Sequence, residues 1–462
     1  MGTPQRIKVG TETPLTGVFE LRPFNIDNAS EVSQLLQRNH DNYHIYIHNL
    51  GLHTLYALGA TLEQLNQAFD LATGSQRPTR PPDARRVLDL ADPLKFQTFL
   101  GKGKYYDDFF AFFQKEIAEK GVPDTVNEYL FKGDNRAEDM LRRFFSGYAI
   151  EFGQPLVAAE ALALTAVHES GFGEILDMVE NASKESSDSK GMVELQQEIY
   201  TNRKIRNTMQ YDHGVFQIRD NLLVNAKEDF LRIIGSWKVS LYEMKEKTAE
   251  LLNSTSIGAE YPQLLDWANR PEKQIRFDFF LMHSITAGSL WPALNSASWI
   301  STANKCRLLE WKGRSDLMLY CQAGAPQLFP EELTSYQPKI PSGWPGVFHR
   351  ACEYNDDGHL VKFIRAIATA AEDIKLFSSY PSFAIKSRHE LLTIAHMVVD
   401  SGEEFNQKTA NREAEMICAK YEYPRLMSHE IQRVTARWPR HVGFEESWFH
   451  IPARKPRHLT QL

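Results

Sequence analysis

SEVSQLLQRNH, residues 30–40, and TLYALGATLEQLNQAFDLA, residues 54–72, carry apolar side chains three and four positions apart. That spacing gathers them on one face of an α-helix and predicts helix from about Asn28 to Ala72. The next segment, GSQRPTRPPDARR (74–86), is rich in Pro, Arg and Gly and predicts an exposed connection. Helical patterns resume in YYDDFFAFFQKEIAEKG (105–121), TVNEYLF (125–131) and an apolar run from Met140 to Val167 whose length favours helix over strand. The polar stretch ENASKESSDSKG (180–191) reads as a loop or lid edge, and helices follow across 220–255, 277–294 and 301–324. A Pro-rich bridge at 326–346 is the best internal boundary, with further helices at 358–377, 387–406 and 409–422. Alternating β patterns are almost absent and no fixed-period repeat occurs. The predicted fold class is mainly α: a single large multi-helix array with Pro-rich connecting loops, forming one helical domain over 1–462.

A chain of 462 residues, 42% hydrophobic and 24% charged, has the size and composition to bury a substantial core, which excludes a small stapled module and a mostly disordered chain. A net charge of −7 gives no electrostatic reason for a nucleic-acid or anionic-membrane partner. No run approaches the length needed to span a bilayer, and the N-terminal residues lack a signal-peptide core. Cys306, Cys321, Cys352 and Cys418 are widely spaced and form no CxxC pair, so they are read as reduced thiols in a cytoplasmic protein.

Several chemistries fail on spacing. Neither GxxxxGK[ST] nor GxGxxG after a strand occurs, so no phosphate cradle or self-contained dinucleotide site is visible. His389 and Glu390 begin an HExxH-like run, but Thr393 stands where the second zinc ligand belongs. Asn355, Asp357 and Gly358 match a calcium loop only in part, and GxSxG is absent.

Histidine placement is what remains. His40, His44 and His48 recur every four residues, followed by His53; on a helix the first three share a face, able to hold a metal, stack in a polar network or simply face solvent, and surface or hydrogen-bonded residues are the more economical reading. His168, His283 and His359 lie in apolar helical runs, where one imidazole alone is a core residue but three raise the odds of convergence on iron. Lys362 is the sharpest oddity, three residues after His359 among Leu360, Val361, Phe363 and Ile364. Burial would depress its pKa and make it a nucleophilic amine able to form a carbamate; alternatively it reaches solvent or pairs with Asp356 or Asp357. The aromatic runs FDFFLM and YYDDFFAFF could line a flat apolar cavity, although ordinary core packing is the more economical reading.

The stretches NHDNYHIYIHNLGLH (39–53), LYALGA (55–60), FLGKGKYYDDFFAFFQKEI (99–117), IEFGQPLVAAEALALTAVH (150–168), FDFFLMHSITAGSLWPAL (277–294), NKCRLLEWKGRSDLMLY (304–320) and DDGHLVKFIRA (356–366) resemble the questin oxidase-like family. The resemblance implies a helical fold and oxygen-dependent ring opening of a hydroxyanthraquinone or its hydroquinone in fungal polyketide secondary metabolism. It implies either Baeyer–Villiger-type monooxygenation, with NADPH used only indirectly through a partner reductase, or a non-haem iron dioxygenase. In the latter a carboxylated lysine falls on Lys362, and His283 and His359 are the other expected Fe(2+) ligands. His53 and His168 are the expected catalytic histidines, able also to complete the shell. Two His-rich segments of the family are missing: GLH runs directly into TLYALGA, and FFSG into YAIEF. Each gap is roughly seven to nine residues, about two helical turns. That loss keeps open a catalytically degenerate anthraquinone-binding relative, or a helical interaction scaffold, as alternatives.

Overall fold

A computed structural model describes residues 6–10, 26–44, 49–74, 76–143, 154–211, 218–257, 273–326, 333, 335–377, 385, 387–405, 438–448 and 451–454. Among them the secondary structure is almost entirely helical, and the mainly α expectation holds. The strands described are a two-residue antiparallel pair, Tyr43–His44 with Arg77–Pro78. The predicted helix at 409–422, Cys418 and the FFSG–YAIEF junction lie outside the described residues. The chain divides into two compact units, each gathered from separate stretches of sequence.

The first unit comprises 1–178, 290–308 and 355–362. It contains α1 (Ile26–Asn42), α2 (Asn49–Ala57), α3 (Leu62–Thr73), α4 (Ala84–Asp89), α5 (Pro93–Phe99), α6 (Tyr106–Val126), α7 (Asn135–Leu141), α8 (Pro155–Val167) and the start of α9 (Gly173–Lys184). Caps explain the helix starts. Thr61 and Gln64 form a capping box on α3, while Asp83, Asp92 and Asp134 accept backbone N–H groups at the heads of α4, α5 and α7. The core is α6 packed along α8. Ala158, Ala159, Ala163 and Ala166 keep α8 slim, so Phe109, Phe112 and Phe113 of α6 are buried in the same unit. Phe96 and Tyr129 join these rings edge-on, and the Arg136 guanidinium lies 4.2 Å over Tyr129. YYDDFFAFF is therefore core packing.

The second unit comprises 179–289, 309–354 and 363–462. Its helices are α10 (Met192–Thr201), α11 (Arg203–Thr208), α12 (Lys227–Gly235), α13 (Met244–Ile257), α14 (Phe279–Gly288), most of α16 (Thr302–Gln322), α17 (Trp344–Glu353), most of α18 (His359–Phe377) and α19 (Arg388–Glu404); α15 (Trp291–Ser296) belongs to the first unit. The polar run at 180–191 is helical as far as Lys184, because α9 continues through it. Within the second unit α13 packs on α14 and α17 on α19. Gly313 is required in α16: a Cβ there would lie 2.2 Å from the indole nitrogen of the fully buried Trp237. The part of the 326–346 stretch that is described falls inside this unit, tied to α19 where Asp400 accepts from the Tyr336 hydroxyl at 2.6 Å and the Lys339 N–H at 2.9 Å.

Candidate functional site

The site in the first unit is built on the turn that starts α18. Asp356 accepts from the Gly358 N–H at 2.7 Å and the Leu360 N–H at 3.0 Å, satisfying two donors of the first turn. Gly358 has φ +83°, a conformation that side chains disfavour, and a Cβ there would come within 3.3 Å of the Gly51 Cα. Two glycines thus allow the backbone of α2 to touch the head of α18.

His359, buried, donates its Nδ1–H to Asp357, which fixes the ring with Nε2 as the acceptor nitrogen. Lys362 follows one turn later and is only 6% exposed, so it does not reach out to solvent. Among the described residues no carboxylate lies within ion-pair distance of its amine. Burial pushes the Lys362 pKa down, opposed by the charges of Asp357 and Asp356. Burial likewise pushes the Asp356 carboxyl up, reinforced by Asp357 and opposed by His359. Carboxylates, an imidazole and a desolvated amine within one helical turn form a group able to hold and pass protons.

Of the five sequence-predicted residues, this turn brings together His359 and Lys362. His53 is buried on α2, two residues after Gly51; at about 100° per residue it does not share the face that meets Gly358. His168 sits half-buried just past the end of α8, its pKa lowered by burial. His283 belongs to α14 in the second unit, where Nδ1 bonds the Phe279 carbonyl at 2.6 Å and the ring meets the Phe279 ring at 4.7 Å. Among the described residues no group of three or more His, Cys, Asp or Glu side chains is placed to hold a metal ion. An iron centre made from those side chains alone does not fit them.

His40 has a definite role that its four-residue spacing concealed. Its Nδ1 lies 2.6 Å from Glu160 on α8, both side chains are buried, and Phe110 packs edge-on against the ring at 5.1 Å. The signal was available as one carboxylate inside LVAAEALALTAV, an acid that needs a partner when buried. The side chain of His44 and the whole of His48 lie outside the described residues.

A helical array with an Asp–His–Lys turn at one helix head, and without a dinucleotide cradle in its sequence, marks the chain as an all-α protein with clustered titratable side chains. The chain belongs to the questin oxidase-like family, whose pattern matches residues 44–367. It is 33% identical to "Oxidoreductase AflY" of Aspergillus parasiticus over 97% of this chain and 94% of that protein. It is 30% identical to a questin oxidase of Aspergillus fumigatus over 98% of this chain and all of that protein, and 32% identical to a Baeyer–Villiger oxidase of Pestalotiopsis microspora over 74% and 81%. The match to AflY runs over 475 positions, more than the 462 residues of the chain, so it includes gaps on the side of this chain. The protein is an oxidoreductase.

Proposed function

We propose that this protein cleaves the central ring of a questin- or emodin-type hydroxyanthraquinone, taken as the hydroquinone, with dioxygen, as a step of polyketide secondary metabolism. Near full-length similarity to proteins named questin oxidase supports the substrate class, and the Baeyer–Villiger oxidases among the relatives support the reaction type. In the chain itself the reading is carried by the buried turn Asp357–His359–Lys362.

Nε2 of His359 takes the phenol proton, and Asp357 stabilises the imidazolium that results. Lys362, held toward its neutral amine by burial, takes up a second proton as charge redistributes. The electron-rich phenolate then reacts with dioxygen. One oxygen atom enters beside the ring ketone to give a seven-membered lactone and the other leaves as water, the two electrons coming from the hydroquinone; water then cleaves the lactone's acyl–oxygen bond, giving a carboxylic acid and a phenol and so opening the ring. NADPH serves only indirectly, through a partner reductase that prepares the hydroquinone. His53 and His168 are the remaining base candidates; burial favours the neutral imidazole of His168. In the metal-dependent form of the proposal His359 and a carboxylated Lys362 would contribute ligands to Fe(2+), which would supply dioxygen activation. The reaction is placed in the cytoplasm, an assignment supported by the buried, reduced thiols of Cys306, Cys321 and Cys352; no described helix is long and apolar enough to cross a membrane.

Turnover of reduced and oxidised emodin or questin by purified protein tests the proposal. Ring-opened product from the reduced substrate, lost in His359→Gln and Lys362→Met, is expected. Absence of product with both oxidation states overturns it.

A further inference from the structure

Residues 6–10, RIKVG, lie in the first unit outside any helix. Ile7 and Val9 are buried while Arg6, Lys8 and Gly10 are exposed, the alternation of an extended strand. The hydrogen bonds described for this backbone are made to side chains of the helical body rather than to another strand. On one edge the Ile7 N–H donates to Gln37 Oε1 and the Val9 N–H to Ser33 Oγ, each at 2.9 Å. Both acceptors stand on α1 four residues apart, about 6 Å along the helix axis, and two residues of extended chain span about 6.6 Å. The two periods match, so one face of α1 reads alternate N–H groups of the segment. On the opposite edge the Gln154 carboxamide, at the head of α8, takes both polar groups of Lys8: Oε1 accepts from its N–H at 3.2 Å and Nε2 donates to its carbonyl at 2.7 Å. The Tyr56 hydroxyl of α2 donates to the Gly10 carbonyl at 3.0 Å. Two of these groups are oriented by their own helix. Ser33 gives its proton to the Ala29 carbonyl at 2.7 Å, which leaves its lone pairs for an N–H, and Gln37 Nε2 donates to Asp41 at 2.9 Å, which turns Oε1 toward the segment.

We propose that Ser33, Gln37, Tyr56 and Gln154 form a peptide-binding groove for an extended segment with apolar side chains two positions apart, which residues 6–10 fill as a detachable strap. The polar side chains read backbone and the groove takes alternate apolar side chains, the division of labour by which extended peptides are recognised. Ordering five residues of chain offsets much of what two buried side chains contribute, so the strap docks and releases without unfolding of the helices beneath it. When docked it ties α1, α2 and the head of α8 together, the helices that carry His40, His53 and Glu160.

The test uses the full chain. In amide hydrogen exchange of the wild-type protein, Ile7 and Val9 are expected to exchange about tenfold or more faster than the central amides of α1, yet more slowly than in a free peptide of residues 4–12. Exchange at the α1 rate overturns detachment, and exchange at the free-peptide rate overturns docking; this measurement decides whether or not any variant folds. The groove itself is probed in trans with that peptide, fluorescently labelled, and the Ile7→Asp/Val9→Asp chain, whose helical content is checked by circular dichroism. The peptide is expected to bind the released chain about tenfold or more tightly than wild type, whose groove is filled, and Gln154→Ala added to the released chain should weaken binding about threefold or more. Equal binding to wild type and to the folded released chain, no binding to the latter, or equal binding of a peptide carrying Val9→Asp overturns the proposal.

Discussion

Replacing Gly358 by alanine tests the turn on which the site stands. At φ +83° a residue with a Cβ costs about 1–2 kcal/mol relative to glycine. The new methyl would also stand 3.3 Å from the Gly51 Cα, a contact relieved only by moving α2 or the head of α18, at a further cost of about 1 kcal/mol. Gly358→Ala is therefore expected to destabilise the protein by about 2–3 kcal/mol, measured from the midpoint of urea unfolding followed by tryptophan fluorescence. Turnover should fall as well, because His359 and Lys362 are carried on the displaced turn. Gly51→Ala is the control: its methyl would sit 4.0 Å from the Gly358 Cα, an ordinary contact, and within α2 alanine replaces glycine with a gain of up to about 1 kcal/mol. Equal stability of Gly358→Ala and wild type would refute the left-handed turn. A loss of stability in Gly51→Ala matching that of Gly358→Ala would refute the distinction between the two glycines.

Lys362→Met removes an amine whose pKa burial lowers in the folded state. Between the folded value and the ordinary value of about 10.4 the unfolded chain binds the extra proton, so stability rises with pH across that window. Lys362→Met should thus match or exceed wild-type stability at neutral pH, with the difference shrinking as pH approaches that ordinary value; a variant less stable at neutral pH would contradict the burial argument. His40→Ala leaves Glu160 buried without its imidazole and should cost about 3 kcal/mol in urea unfolding, whereas a loss under about 0.5 kcal/mol would show the pair to be incidental. For the metal-dependent form, iron content measured with added bicarbonate should fall in Lys362→Ala relative to wild type; equal content in the two proteins removes the lysine from any metal site.

The helical class was legible because three- and four-residue apolar spacing is a local property, and α3 and α18 appear where it places them. The pairing of His359 with Lys362 was legible for the same reason, since residues three apart share a helix face. The buried His40–Glu160 contact joins positions 120 apart, and Arg440 lies over Phe279 from a distant loop; no local period encodes either. The aromatic runs show the limit most clearly. YYDDFFAFF and FDFFLM read alike, and each leaves two rings only partly buried, Tyr105 and Phe110 in the first and Phe279 and Phe280 in the second. Which rings of an apolar run stay partly exposed depends on the neighbours packed against it, and those neighbours are chosen by the tertiary fold.

The central claim is tested most directly by mass spectrometry of the product formed from a reduced hydroxyanthraquinone under oxygen-18 gas. The account predicts a ring-opened product carrying one labelled atom, with the second label in water, and loss of that product in His359→Gln. Unlabelled product, or labelled product formed equally well by His359→Gln, would contradict it.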